Sequence, residues 1–249
     1  MFEQSRYVGS RSDRQSGPTP RNGSCMLILG IETSTEVCSV GLADEHGLVA
    51  ERSVVESHIH SEKLLTLMAD VLQSAGASPG ELSAVAVSIG PGSFSGLRIG
   101  LSTAKGLCYA RGIPLVAVPT MASVASSAFE EHDEWLSIVI ALDAKQGEFY
   151  AGRFSRSTER ITEIPVRVYP RDELVGMIRE SDIVLTDVAD GLQEEGERRR
   201  RVFHTRTFMS GATIALLGRQ LFREERIADL QHIEPMYLKN FIVRTAKKA

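Results

Sequence analysis

The first half of the chain alternates short apolar runs with polar turns, and this pattern predicts a sheet flanked by helices. Three such runs, separated only by short turns, indicate a β-meander. They are Leu27 to Ile31, Val37 to Ala43 and Leu48 to Val55. Apolar side chains then recur every three or four positions from Ser61 to Ala75, which predicts an amphipathic helix that stops at Gly76. Strands are also predicted at Ala84 to Ile89 and Pro114 to Val118, with a helix from Leu97 to Ala110 between them.

The second half repeats this order of elements. Its predicted elements are the strands Ser137 to Asp143, Glu148 to Phe154, Ile161 to Tyr169 and Ile183 to Thr186, and the helix Arg171 to Glu180. Two successive units of three strands, a helix and a strand predict a duplicated α/β architecture with a cleft between two lobes. We expect residues 26–118 to form the first lobe and residues 119–209 the second. A helix from Ser210 to Arg223 begins a C-terminal segment, about 210–245, that we expect to rejoin the first lobe.

Composition excludes several classes of protein. The 249 residues are 43% hydrophobic, which suits a globular chain with a substantial core, and the net charge of −4 gives no general attraction for nucleic acid. The cysteines, Cys25, Cys38 and Cys108, are odd in number and lack metal-like spacing, which favours a reducing compartment over a disulfide scaffold. No apolar run is long enough to span a membrane. We therefore expect a cytoplasmic protein without a membrane segment.

Residues 1–25 differ from the rest of the chain. They carry four arginines against two acidic residues, together with many Ser, Gly and Pro, and we expect them to be disordered. An upstream start codon, with Met26 beginning the folded protein, explains this composition. An organelle transit peptide has a similar composition, and both explanations stay open.

The stretch from Gly90 to Gly100, G-P-G-S-F-S-G-L-R-I-G, lies between a predicted strand and a predicted helix. Amides at the start of a helix bind anions, so the loop suits a phosphate group. A Walker A loop requires Lys followed by Ser or Thr after its last glycine, but Leu97 and Arg98 follow Gly96. The glycine spacing also differs from that of a dinucleotide-binding loop. A phosphate cradle of another type and a simple turn remain the alternatives.

The predicted helix from Leu97 to Ala110 contains small residues at intervals of four. Gly96, Gly100 and Ala104 share this spacing, although a glycine inside a helix costs about 1 kcal/mol relative to alanine. Close approach of another helix offsets such a cost. That helix belongs either to a partner protein or to the same chain, and the sequence leaves both alternatives open.

Six segments together resemble the TsaB (YeaZ) family of bacterial proteins. They are L-G-I-E-T-S-T-E-V-C-S-V-G-L from Leu29, H-S-E-K-L-L from His60, the Gly90 to Gly100 stretch, A-K-G-L from Ala104, D-A-K-Q-G-E-F-Y from Asp143 and P-M-Y-L-K from Pro235. Their order and spacing extend over nearly the whole chain after Met26. The resemblance implies the two-lobed fold of actin, sugar kinases and heat-shock chaperones, with mixed sheets.

The resemblance also implies a function. TsaB proteins are accessory subunits that form a heterodimer with the transferase TsaD, which places a threonylcarbamoyl group on adenosine 37, next to the anticodon, in tRNAs that read codons starting with A. TsaE, an ATPase, joins a larger complex, and homodimers use the same face when TsaD is missing. We therefore expect a non-catalytic subunit that contacts tRNA mainly through the complex, and we discount the older glycoprotease description. The alternative is an actin-like ATP-dependent enzyme, either a kinase or a self-sufficient transferase.

The residue types themselves indicate which metal, phosphate and adenosine sites the chain can form. The transferase relatives hold a metal with an H-x-x-x-H pair, but no two of the six histidines here are four positions apart, so we expect no metal site. Degenerate phosphate turns are predicted at Glu32, Thr33, Ser34, Gly90, Gly92 and Ser93. The late turn Thr186-Asp187-Val188 lacks the glycines that suit adenosine, which argues for weak or absent ATP or ADP binding, and we expect no cofactor.

The two helices of the first lobe are the predicted docking face for TsaD. The residues assigned to this interface are His60, Leu64, Met68, Leu97, Gly100, Leu101, Ala104, Leu107 and Cys108. A bulky residue at Gly100 or Ala104 is then expected to abolish co-purification with TsaD while the monomer stays folded. A basic tetrad, Arg198 to Arg201, is a weaker candidate for contact with tRNA because acidic residues precede it.

Overall fold

The computed structural model describes residues 26–56, 58–156, 164–188, 192 and 202–239. The strands in these ranges are β1 (Leu27–Glu32), β2 (Val37–Asp44), β3 (Leu48–Val55), β4 (Ala84–Ser88), β5 (Leu115–Val118), β6 (Ser137–Asp143), β7 (Glu148–Ser155), β8 (Arg167–Pro170), β9 (Ile183–Thr186) and β10 (Val202–His204). The α-helices are α1 (His60–Ser74), α2 (Phe94–Arg111), α3 (Thr120–Glu131), α4 (Arg171–Met177) and α5 (Gly211–Arg223). The prediction of disorder for residues 1–25 lies outside the described residues.

The strands form two five-stranded sheets of the same design. The first has the order β3-β2-β1-β4-β5 and the second the order β10-β9-β6-β7-β8. In each sheet the first three strands in sequence form an antiparallel meander, and the fourth and fifth run parallel to the first. The predicted duplicated α/β fold with two mixed sheets is confirmed. The predicted lobe boundaries stay a prediction.

The first sheet is covered by helices on both faces because its side chains alternate. Leu29 and Ile31 of β1 face a core that α1 and α2 close. Ile28 faces the other side, where it packs with Ile214 and Leu221 of α5. The C-terminal helix thus belongs to the core of the first lobe.

Glycines place α5 unusually close to the first sheet. A Cβ atom on Gly41 of β2 would lie 2.5 Å from the Cα of Ala212, and one on Gly211 would lie 2.6 Å from the Gly41 nitrogen. Glu51 of β3 accepts hydrogen bonds from donors at the start of α5. Its Oε1 binds the Ser210 hydroxyl (2.7 Å) and the Ala212 amide (3.2 Å), which has no partner within the helix. Backbone contact and a distant carboxylate together fix α5.

The second sheet also buries both faces. Ile138 and Ile140 pack with α3, and Val139 packs with Leu174 of α4 on the other side. Val37 of the first sheet also packs into the cluster that contains α3, so the two lobes share apolar contacts.

Most predicted elements are confirmed, with boundaries that shift by a few residues. The strand predicted from Ile161 to Tyr169 begins only at Arg167, and residues 161–163 lie outside the described residues. The helix predicted from Leu97 begins three residues earlier, at Phe94, because the Ser93 side chain caps it. The helix predicted to end at Glu180 ends at Met177. Helix α3 and strand β10 are additional elements. Among the helices of the described ranges, none combines the length and hydropathy of a membrane span.

Candidate functional site

The structure brings the two predicted phosphate turns together. Glu32 is the last residue of β1, and Thr33 and Ser34 follow it in the turn to β2. The loop before α2 meets this turn, and the Ser93 amide donates a hydrogen bond of 2.6 Å to the carbonyl oxygen of Ser34. The Ser93 hydroxyl in turn accepts from the Gly96 amide at the start of α2. The turn after β1 and the loop before α2 are therefore in direct contact.

Three glycines allow that contact. A Cβ atom on Gly92 would lie 2.9 Å from the Cβ of Ser34, closer than carbon atoms approach without a clash. Cβ atoms on Gly96 and Gly100 would overlap Thr33. Glycine is required where two backbones approach so closely. Packing of the loop on the turn accounts for these glycines without a ligand.

The predicted phosphate residues differ in exposure. Glu32, Thr33, Ser34 and Gly90 are buried, Gly92 is half-buried and Ser93 is exposed. A phosphate group needs amide or hydroxyl donors that face open space. The Ser93 amide instead faces a protein carbonyl. Phosphate binding at these residues stays a prediction.

Glu32 lies in a fully buried environment. Its Oε1 accepts hydrogen bonds from the Ser34 amide (2.6 Å) and the Ser88 hydroxyl (3.1 Å), and its Oε2 has no hydrogen-bond partner among the described residues. Burial raises the pKa of this carboxyl, and the hydrogen bonds oppose that shift. Burial of Cys38 itself, with the charge of Glu32 as a smaller cause, raises the pKa of that thiol to about 12. Burial thus makes the Glu32 carboxyl harder to ionise than an exposed glutamate.

Two carboxylates meet at the ends of parallel strands in the second lobe. Asp143 ends β6, Asp187 follows β9, and the Asp143 amide donates a hydrogen bond of 2.8 Å to Oδ1 of Asp187. Burial raises the pKa of Asp187 to about 6, and the charge of Asp143 adds to the effect. The predicted glycine-free turn thus contains Asp187, whose carboxylate links the end of β9 to the end of β6.

The described residues hold no group of three or more His, Cys, Asp or Glu side chains arranged for a metal ion. His60, one of the predicted interface residues, is the first residue of α1. Its Nε2 lies 3.3 Å from the carbonyl oxygen of Val37. Burial lowers the pKa of this imidazole. His60 therefore joins the start of α1 to the start of β2.

The predicted interface residues lie mainly inside the monomer, and this corrects their assignment. His60, Leu64, Met68, Leu97, Gly100, Leu101, Ala104 and Cys108 are buried, and Leu107 is half-buried. Apolar periodicity marks the side of a helix that faces its own sheet, so it selected the inward face. The structure also argues against the expectation that bulky variants of Gly100 or Ala104 stay folded. A side chain at Gly100 overlaps Thr33, and Ala104 is fully buried.

The outward faces of α1 and α2 carry a different set of residues. The two helices pack against each other on the same face of the first sheet. Leu65 is 66% exposed and Tyr109 is 84% exposed, so both large side chains face water in the monomer. Gly106 is also exposed, and a Cβ atom there would meet nothing within 4 Å. We call Leu65, Gly106 and Tyr109 the outer face. Two bulky hydrophobic side chains at polar positions of the helical pattern are the sequence signal for it.

The basic tetrad at 198–201 lies outside the described residues. Its predicted contact with tRNA stays a prediction.

Comparison with known proteins gives consistent results. The family model described as "TsaD: tRNA N6-adenosine threonylcarbamoyltransferase" matches residues 52–240. A protein of Escherichia coli, "tRNA threonylcarbamoyladenosine biosynthesis protein TsaB", is 28% identical over 222 residues, which are 86% of this chain and 95% of that protein. The Bacillus subtilis protein of the same name is 26% identical over 223 residues, 86% of this chain and 94% of its own. These relatives confirm the predicted resemblance.

A solved structure shows the same fold. "YeaZ from Pseudomonas aeruginosa" superimposes with a TM-score of 0.73 at 24% identity, over 86% of this chain and all of that chain. A second Pseudomonas aeruginosa structure, described as similar to peptidase YEAZ, has a TM-score of 0.72 at 23% identity, over 87% of this chain and all of its own.

Proposed function

The chain belongs to the TsaD family, and from that premise we propose that it is a non-catalytic subunit of tRNA threonylcarbamoyladenosine biosynthesis. Its relatives in Escherichia coli and Bacillus subtilis carry that biosynthesis in their names. In this proposal the chain forms a heterodimer with TsaD in the cytoplasm, and TsaE joins the larger complex. Contact with tRNA occurs mainly through the complex. In the absence of TsaD, two copies of the chain pair through the same face.

The observation that carries the proposal is the outer face of α1 and α2. Full burial of a large apolar side chain contributes about 1.5–3 kcal/mol of stability. Because Leu65 and Tyr109 are mostly exposed in the monomer, most of this free energy is still available for binding a partner. Gly106 costs α2 about 1 kcal/mol relative to alanine and has no neighbour that explains it. A bare backbone at Gly106, on the same side of α2 as the exposed Tyr109 three residues later, suits a partner helix at close range.

The buried turns support the non-catalytic part of the proposal. Oε1 of the fully buried Glu32 accepts hydrogen bonds from the Ser34 amide and the Ser88 hydroxyl, and the Ser93 amide donates to a carbonyl of the chain itself. These groups are engaged within the protein rather than aimed at a ligand. Chemistry on tRNA then belongs to the partner.

The affinity for TsaD tests the interface. We expect Leu65→Ala and Tyr109→Ala to weaken the complex, each by about tenfold or more in dissociation constant, because each removes a large apolar contact. The measurement is surface plasmon resonance against immobilised TsaD. The variants should stay folded because both side chains lie outside the core.

A matched control is available in the second lobe. Leu136 is 72% exposed, so Leu136→Ala removes the same side chain from another surface and should leave the affinity unchanged. Equal affinities for the wild type and both outer-face variants would remove this face from the proposal.

The enzyme alternative has its own assay. Calorimetry with ATP and magnesium, followed by a turnover assay on the purified chain alone, should show no enzyme-like activity. Micromolar binding with turnover would establish the ATP-dependent enzyme instead.

A further inference from the structure

After α5 the chain turns back over the first lobe. We call residues 226–239 the strap. The Ala228 amide donates to the carbonyl of Leu115 in β5 (2.9 Å), and the Met236 amide donates to the carbonyl of Ile89, just after β4 (2.7 Å). The strap therefore follows the parallel strands of the first sheet without forming a regular strand itself.

Side chains of α2 fasten the strap to the first lobe. The Lys105 ammonium lies 3.3 Å from the carbonyl oxygen of Ile233, and Nε of Arg98 donates to the Tyr237 hydroxyl (2.9 Å). The Tyr237 ring also lies 5.3 Å from the ring of Phe94. Up to Tyr237 the strap is part of the first lobe.

Lys239 then crosses to the second lobe. Its Nζ lies 2.9 Å from the carbonyl oxygen of Ala144, 3.3 Å from that of Lys145 and 2.5 Å from Oε2 of Glu148. An ammonium group has three donors, and these three acceptors match them in number. The Lys239 side chain is 22% exposed and that of Glu148 is 35% exposed, so solvent screens the pair less than it screens an open surface pair.

The turn that receives Lys239 has an uncommon backbone. Lys145, Gln146 and Gly147 have φ angles of +64°, +63° and +74°, the left-handed region, which side chains other than glycine rarely adopt. Such a conformation persists where neighbouring groups hold it. Asp143 accepts from the Lys145 amide (2.7 Å), and Lys239 binds the carbonyls on the other side. The turn is thus held from both lobes.

We propose that Lys239 is a latch that joins the two lobes and fixes their relative orientation without a bound ligand. The strap supplies the rigid connection to the first lobe, and the turn between β6 and β7 supplies the acceptors in the second. This role is independent of the partner proposed above, because it concerns the isolated chain.

Lys239→Met tests the latch, since methionine keeps much of the side-chain bulk and removes the charge and all three donors. Spin labels at Thr66→Cys on α1 and Asp172→Cys on α4, two exposed positions in different lobes, report the distance between lobes. Cys25→Ser removes one further cysteine, and Cys38 and Cys108 are buried. We expect a broader distance distribution in the variant. Amides of residues 144–148 should exchange hydrogen about tenfold faster.

Lys63→Met is the matched control, because Lys63 is an exposed lysine of α1. It should leave both readouts at the wild-type values. Glu148→Gln keeps the two carbonyl acceptors and should produce a smaller change in the same direction. Circular dichroism checks that Lys239→Met is folded, and Glu148→Gln decides the outcome if it is not. The proposal is overturned if the folded variant shows the wild-type distance distribution and the wild-type exchange rates.

Discussion

Replacing Gly41 by alanine puts a methyl group where α5 already lies. The added Cβ atom would sit 2.5 Å from the Cα of Ala212, about 1 Å closer than carbon atoms pack in protein interiors. The helix must retreat by roughly that distance. This movement lengthens the hydrogen bond between the Ala212 amide and Glu51, which is 3.2 Å in the wild type. Overpacking of a core costs about 1–3 kcal/mol, and we expect Gly41→Ala to lie at the upper end.

Urea denaturation measures this loss as a change in the free energy of unfolding. For a domain of this size each kcal/mol corresponds to about 2–4 °C in the midpoint of thermal unfolding, so a decrease of about 6–12 °C is expected. Gly106→Ala is the matched control, because the same methyl group there meets nothing within 4 Å. That variant should gain up to about 1 kcal/mol from helix propensity. The reasoning is refuted if Gly41→Ala is as stable as the wild type, or if the two variants change stability in the same direction.

Two further perturbations test buried charges. Glu32→Gln should become more stable relative to the wild type as the pH rises from 5 to 8. The raised pKa of folded Glu32 stabilises the wild type at low pH, and this stabilisation is lost as the pH rises through the folded-state pKa. Thermal unfolding across this range checks the trend, and a constant difference between the two proteins would contradict it. Asp182→Ala should cost about 3–5 kcal/mol, because it leaves the Arg153 guanidinium, 4% exposed, without its 2.6 Å carboxylate partner. Glu173→Ala, which breaks an exposed pair with Arg167, should cost under about 1 kcal/mol in the same urea assay, and equal losses would argue against the role of burial.

The elements that the sequence predicts best are those with a clear period. Apolar residues of α1 repeat along one face, and the strands of both meanders are short apolar runs between turns. Helix α3 was missed because its buried face consists largely of small or polar residues, among them Thr120, Ser123 and Ala128, which do not mark a core-facing side. Strand β10 has only three residues, none of them fully buried, so it leaves no pattern to detect.

Long-range contacts are the part that the sequence does not reveal. Glu51 caps a helix that begins 160 residues later in the chain, and nothing near Glu51 indicates this role. The predicted interface residues lie on the buried side for a related reason. Periodicity identifies the buried face of a helix, whereas the outer face proposed for docking consists of departures from the pattern, such as Tyr109.

The contribution of α5 to the first lobe also has a consequence for synthesis on the ribosome. Ile28 and Ala86 lie on a sheet face that is covered by α5, residues 211–223, which emerges after the whole second sheet. The nascent first lobe therefore keeps an apolar surface open to water while the second lobe is being made. Chaperones that bind apolar segments during translation have a defined target there until the last helix arrives.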